Sequence, residues 1–269
     1  MTTVNVYIIS TGKPDQPGGI SPQAKRLFEL FSSPIFQTTI LKLDTPAKNI
    51  KVDYPGFDTQ AKNELYRFIL ALKDGTKTGN NEPILFISDT SVTDADATTI
   101  EGIVTSVLAN QWDICYLSKW LDSCDLFTDK KIISKNGTVL VNAVNPHGLQ
   151  ALLIRPGQFK VDAATGELLL ASGDKVAFEK NVSTTFQNLI ANKKLKAATV
   201  TPNLFEVDPL TITKPEDYVK LNECRDVSAI SNNPNISNQG SAITSNPNFI
   251  TWILLGVALL LILFLLFRK

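Results

Sequence analysis

Apolar residues along this chain follow two rhythms: short runs with an apolar side chain at nearly every position, and longer stretches in which apolar positions recur three and four apart. The first rhythm reads as strands covered on both faces, the second as helices with one buried side. Strands are predicted at 4–9, 35–43, 84–87, 113–117, 138–144, 167–171 and 195–200. Helices are predicted at 23–31 (Ala24, Leu27, Phe28 and Phe31 inward), 60–74 (Leu65, Phe68, Ile69, Leu72), within 91–110 (Ile100, Ile103, Val104, Val107) and at 182–191. Gly75 and Ser32-Ser33-Pro34 act as stop signals. Asn145-Pro146-His147-Gly148 reads as the start of a short helix over 149–154, ended by Pro156-Gly157, and Asn136-Gly137 as a turn into the strand after it. Residues 119–135 read as a polar connection. This alternation argues a three-layer, Rossmann-type α/β domain.

The run Glu82-Pro83-Ile84-Leu85-Phe86-Ile87-Ser88-Asp89-Thr90 is the strand of most interest, because it is interior in character and ends on a carboxylate. Ligands of open α/β sheets bind at the carboxyl ends of strands, so Asp89 is the first candidate site residue. The loop over 12–22 carries Gly18-Gly19 but neither the lysine nor the hydroxyl of a phosphate-binding P-loop, and reads as an ordinary loop.

Composition narrows the function classes. Lysine plus arginine and aspartate plus glutamate balance at 26 each, with no basic run, so nucleic acid is not an expected partner. Cys115, Cys124 and Cys224 lack metal-ligand spacing and are expected as free thiols in a reducing compartment; His147 is the single histidine, read as a turn or cap residue.

The chain's last part has another character. Residues 227–248 carry no charge and are rich in serine, asparagine and proline, as expected of a flexible linker. The stretch 249–267, opened by Phe249 and closed by Phe267, holds 19 uncharged residues. At ~1.5 Å per residue it reaches about 28 Å, enough for the hydrocarbon core of a bilayer. Trp252 suits one interface and Arg268-Lys269 the other. The expectation is a tail-anchored, single-pass membrane protein contacting lipid through 249–267, with a domain over 1–226 that lacks a signal peptide and lies in the cytosol. Asn136, Asn181 and Asn235, each in a glycosylation sequon, are then expected to stay unmodified.

Several of these pieces, taken in order, carry a family likeness: a helix at 63–72, the strand reaching Thr90, Trp112-Asp113-Ile114-Cys115-Tyr116-Leu117, the segment 141–153 around Gly148, and 199–204 with Pro202. In these the chain resembles the family 25 glycosyltransferases, the group including lipopolysaccharide and procollagen galactosyltransferases, over about residues 4–205. The resemblance implies a GT-A fold that binds a sugar nucleotide, with Mn or Mg held by an acidic Glu-Asp-Asp motif. Here that motif reads Ser88-Asp89-Thr90, one carboxylate of three, and neutral hydroxyls supply no charge against a pyrophosphate.

Asp94 and Asp96, a literal Asp-x-Asp, are weaker metal candidates, against which Thr93 and Asp94 suit a helix N-cap. Asp113 is another, against which it suits a carboxylate accepting backbone hydrogen bonds at a strand start. Three readings follow. The favoured one is a catalytically degenerate, membrane-anchored glycosyltransferase-like domain, a pseudoenzyme kept as a structural or interaction protein of a membrane or viral envelope, with no cofactor and with protein partners at the membrane. The others are an active family 25 type enzyme using Mn or Mg and a sugar nucleotide, and a tail-anchored adaptor of unrelated α/β fold.

Overall fold

Strand β1 (Val4–Ile9) is buried along all its length and sends Val4, Val6 and Ile8 to one side, Tyr7 and Ile9 to the other. The same alternation in β3 (Ile84–Ser88), β5 (Ile114–Ser118) and β8 (Ala151–Ile154) sorts the apolar side chains into two cores, one on each face of a sheet. Helices α1 (Pro22–Leu30) and α3 (Ala97–Leu108) cover the Val4 face through Ala24, Leu27, Ile100, Ile103, Val104 and Val107. Helices α2 (Thr59–Lys77) and α4 (Val182–Ala191) cover the Tyr7 face through Leu65, Phe68, Ile69, Leu72 and Phe186. The rings of Phe68, Phe86, Phe159 and Phe186 meet with centroids 5.4–6.2 Å apart, joining α2, the central strand and α4.

These facts come from a computed structural model that describes residues 2–10, 19–42, 59–77, 82–120, 122–134, 137–155, 157–162 and 165–207. The expected linker 227–248 and membrane segment 249–267 lie outside the described residues, as do Asn136, Asn235 and most of the 12–22 loop. Among the described residues no helix is long and apolar enough to cross a membrane.

The sheet is mixed and eight-stranded. With β2 (Phe36–Leu41), β6 (Thr128–Ile132), β7 (Val139–Asn142) and β11 (Ala197–Thr201), its order is β2-β1-β3-β8-β5-β11-β7-β6. Only β8 and β7 run against the common direction, so the sheet is mostly parallel. β2 and β3 flank β1 on opposite sides, which makes the carboxyl ends of β1 and β3 the topological switch point of a doubly wound sheet. A hairpin of β9 (Phe159–Val161) and β10 (Leu168–Leu170) adds Phe159, Leu168 and Leu170 to the α2 face, and β4 (Ser91–Val92) pairs with β12 (Glu206–Val207).

Two expectations are corrected. Residues 149–154 do not form a helix: Ala151–Ile154 is β8, inserted antiparallel between β3 and β5. A run apolar at every position has no period to separate a buried helix turn from a buried strand, and hydrogen-bonding neighbours on both sides decide it. The polar stretch 119–135 contains β6, whose five residues are all exposed because it is the sheet's outer strand and has no apolar face to show in the sequence.

Candidate functional site

The helices place their ends where side chains can cap them. Ser21 precedes α1, and its hydroxyl accepts the Ala24 N–H at 3.0 Å, with Pro22 opening the helix. The N-terminus of α1 thus sits at the switch point beside the end of β3. There the Ser21 hydroxyl donates to Oδ2 of Asp89, a carboxylate only 5% exposed, whose own N–H is held by the Ile9 carbonyl at 3.0 Å. Ser10, fully buried, accepts the Ser21 N–H at 2.9 Å and completes the joint.

Arg67 of α2 lies close enough to feel the charge of this carboxylate, after that of Glu64. It is buried, which pulls its pKa down, while Glu64 and then Asp89 pull it back up. The helix terminus, the hydroxyl and the guanidinium all favour a negative charge, and Asp89 supplies it from within the chain.

Ser88 and Thr90 do not turn outward as companion ligands. Their hydroxyls bond each other at 2.9 Å, and Ser88 Oγ also accepts the Thr90 N–H at 3.2 Å. Asp96 is the N-cap of α3, accepting the Thr99 N–H at 2.7 Å, a bond that holds its carboxyl below the usual range. The cap expected at Thr93 or Asp94 is thus two to three residues further on, and Thr93 is occupied by a bond from its hydroxyl to the Leu204 carbonyl at 2.7 Å. Asp94 is exposed beside it.

Asp113 lies at the opposite edge of the sheet, where its carboxylate accepts the Lys196 N–H at 2.6 Å and ties the starts of β5 and β11. The structure therefore does not gather Asp89, Asp94, Asp96 and Asp113 into one site. No group of three or more His, Cys, Asp or Glu among the described residues could hold a metal ion. Asp89, already bonded and balanced, with neutral neighbours bonded to each other, does not fit a divalent metal.

Further along the same sheet edge, the end of β5 delivers polar groups that sequence reading passed over. Lys119 is 3% exposed and donates to the Val200 carbonyl, Thr201 Oγ1 and Asn203 Oδ1 at 3.0–3.2 Å. Burial pushes its pKa down to about 8 against the pull of Asp122, Glu206 and Cys115. Burial likewise raises Asp122, which three backbone N–H groups (Ser123, Val144, Asn145) and Lys119 partly offset.

His147 has its pKa lowered by burial, and its carbonyl takes the Trp120 N–H at 2.7 Å. No sequence motif marks Lys119, since its acceptors come from 81 to 84 positions away. Cys115 is a buried free thiol, but Cys124 is disulfide-bonded. That corrects the expectation of free thiols throughout, and the argument for a reducing compartment loses its premise with it.

Trp112, the start of the most distinctive sequence element, is a helix stop. Its indole N–H donates to the Val107 carbonyl at 2.7 Å, and the Arg155 guanidinium, 5.0 Å from its ring, donates to the carbonyls of Leu108 and Asn110. Together these satisfy the orphan carbonyls at the end of α3.

No family model matches the chain, and no curated protein matches it. Among solved structures it is similar to A197 from STIV, at 12% identity and a TM-score of 0.38, over 74% of this chain and 83% of that one.

Proposed function

We propose that this chain is a membrane-anchored, glycosyltransferase-like domain that has lost metal-dependent catalysis and serves as a structural or interaction protein at a membrane. The observation that carries the reading is the commitment of Asp89. In a working site of this type the strand-end carboxylates face a cation that bridges two phosphates. Here the one remaining carboxylate takes the Ser21 hydroxyl at the α1 N-terminus and lies buried at the end of β3. A diphosphate approaching that helix end meets a fixed negative charge, and without a metal the two repel. The doubly wound topology, with a reversed strand beside β3, supports the GT-A part of the reading, and the apolar stretch 249–267 supports the anchor.

The test is a thermal unfolding series on the full chain with Mn²⁺ and with uridine and guanosine sugar nucleotides, alone and together. A ligand at a hundredfold excess over its dissociation constant adds ~2.7 kcal/mol and moves the melting temperature by several degrees. The expected result is no shift. A rise of several degrees in the wild type that Asp89→Asn abolishes would replace this reading with the enzyme reading.

A further inference from the structure

The edge of the sheet opposite Asp89 holds a cavity of about 570 Å³, a size typical of small-molecule sites. It lies between the end of α3, the starts of β5 and β11, and the β6–β7 hairpin. Trp112, Leu140 and Ala198 lie beneath its floor, each at most 5% exposed, and its open wall is Asn110, Asn142 and a group of charges from β6 and the residue before β11. Three lysines, Lys130, Lys131 and Lys196, line it against one carboxylate, Asp129.

The lysines here are not paired as others in the domain are. Lys175 bonds Glu167, and Lys194 lies 3.9 Å from Asp174. In the cavity, Lys131 Nζ donates to the neutral Asn110 Oδ1 at 3.1 Å, and Asp129 is taken by the Asn142 amide. The chain as a whole carries no net charge, so two positive charges left over in one concave place are a local choice of the sequence. All three lysines are exposed, and their like charges on one concave surface concentrate counter-ions there.

We infer that this cavity binds a small molecule bearing a phosphate monoester on an apolar or planar body. The monoester carries ~1.5 to 2 negative charges near pH 7, which matches the surplus of the lining. Phosphate alone would leave most of the volume unused, so the body is part of the specificity. Association needs no covalent step: the ammonium groups meet the phosphate oxygens, and the rest of the cavity takes the remainder. The inference is independent of the proposed function, whose residues sit at the other edge.

The test is isothermal titration of the full chain with three probes: inorganic phosphate, phenyl phosphate, and dihexanoyl phosphatidic acid below its micelle concentration. Phenyl phosphate is expected to bind more tightly than inorganic phosphate. Lys131→Gln and Lys196→Gln should each weaken it roughly tenfold, as expected for one charge-assisted contact. Asp89→Asn should leave it unchanged. Phosphatidic acid binding more tightly than phenyl phosphate assigns the monoester to a lipid, and weaker binding assigns it to a soluble metabolite. The inference fails if neither soluble phosphate binds at millimolar concentration, if the lysine changes leave affinity untouched, or if Asp89→Asn abolishes binding and so moves the site to the other edge.

Discussion

Asp89 and Lys119 show how neighbours decide what one side chain does. A strand-end carboxylate facing solvent would tolerate Asp89→Asn almost without effect. Here the carboxylate is buried, accepts the Ser21 hydroxyl and adds to the pull of Glu64 on Arg67. Asparagine keeps an acceptor for Ser21 but weakens that bond and removes one of the two negative charges that act on the buried guanidinium. The expected loss is about 1–3 kcal/mol in denaturant unfolding, and a double-mutant cycle with Arg67→Gln should recover part of it. Lys119 gives a pH signature. Its pKa is about 8 in the folded chain and 10.5 when unfolded, so between these values the unfolded state binds the extra proton. Stability therefore rises with pH across this window, and the gain is lost as pH falls through 8. The rise is on the order of 3 kcal/mol, measurable as unfolding midpoints at several pH values. Lys119→Met should flatten that slope relative to wild type, whatever it does to stability at pH 7.

At the scale of elements, Asp96 of the acidic pair after β3 belongs to helix architecture. Asp96 caps α3, so Asp96→Ala should lower stability by ~1 kcal/mol, while Asp96→Asn, which can still accept the Thr99 N–H, should lower it less. A ligand role would make the two substitutions equally damaging to a Mn²⁺ response and would not rank them by capping ability. Helix faces were legible from the sequence because a 3.6-residue period survives in any environment: Leu65, Phe68, Ile69 and Leu72 are buried, as are Ile100, Ile103, Val104 and Val107. Of the first helix's predicted face, Ala24, Leu27 and Phe31 are buried while Phe28 is 46% exposed, since a nine-residue helix needs only a narrow stripe. β8 and β6 were not legible, the first because it is apolar throughout and the second because it is polar up to its last residue, Ile132. Neither pattern carries a period of two.

For the whole molecule, the sequence predicts attachment through 249–267. Deleting those residues should move the protein from a carbonate-resistant membrane pellet to the supernatant, with the cooperative unfolding transition retained; material that stays in the pellet would show that another part of the chain holds the bilayer. The amino-acid sequence by itself determined the α/β class, the two-sided burial of the inner strands, the placement of Asp89 at a strand end and the two neutral hydroxyl residues that flank it. These are local properties, written in period, composition and chemical type. Only the tertiary structure decided that Asp89 meets Ser21, that Asp113 is tied to the start of β11, that Lys119 is enclosed by residues 200–203, and that three lysines share a cavity at the far edge. Each of those depends on which strands lie side by side, and strand order is settled by the closure of two cores at once, a balance of long-range contacts that no short window of sequence contains.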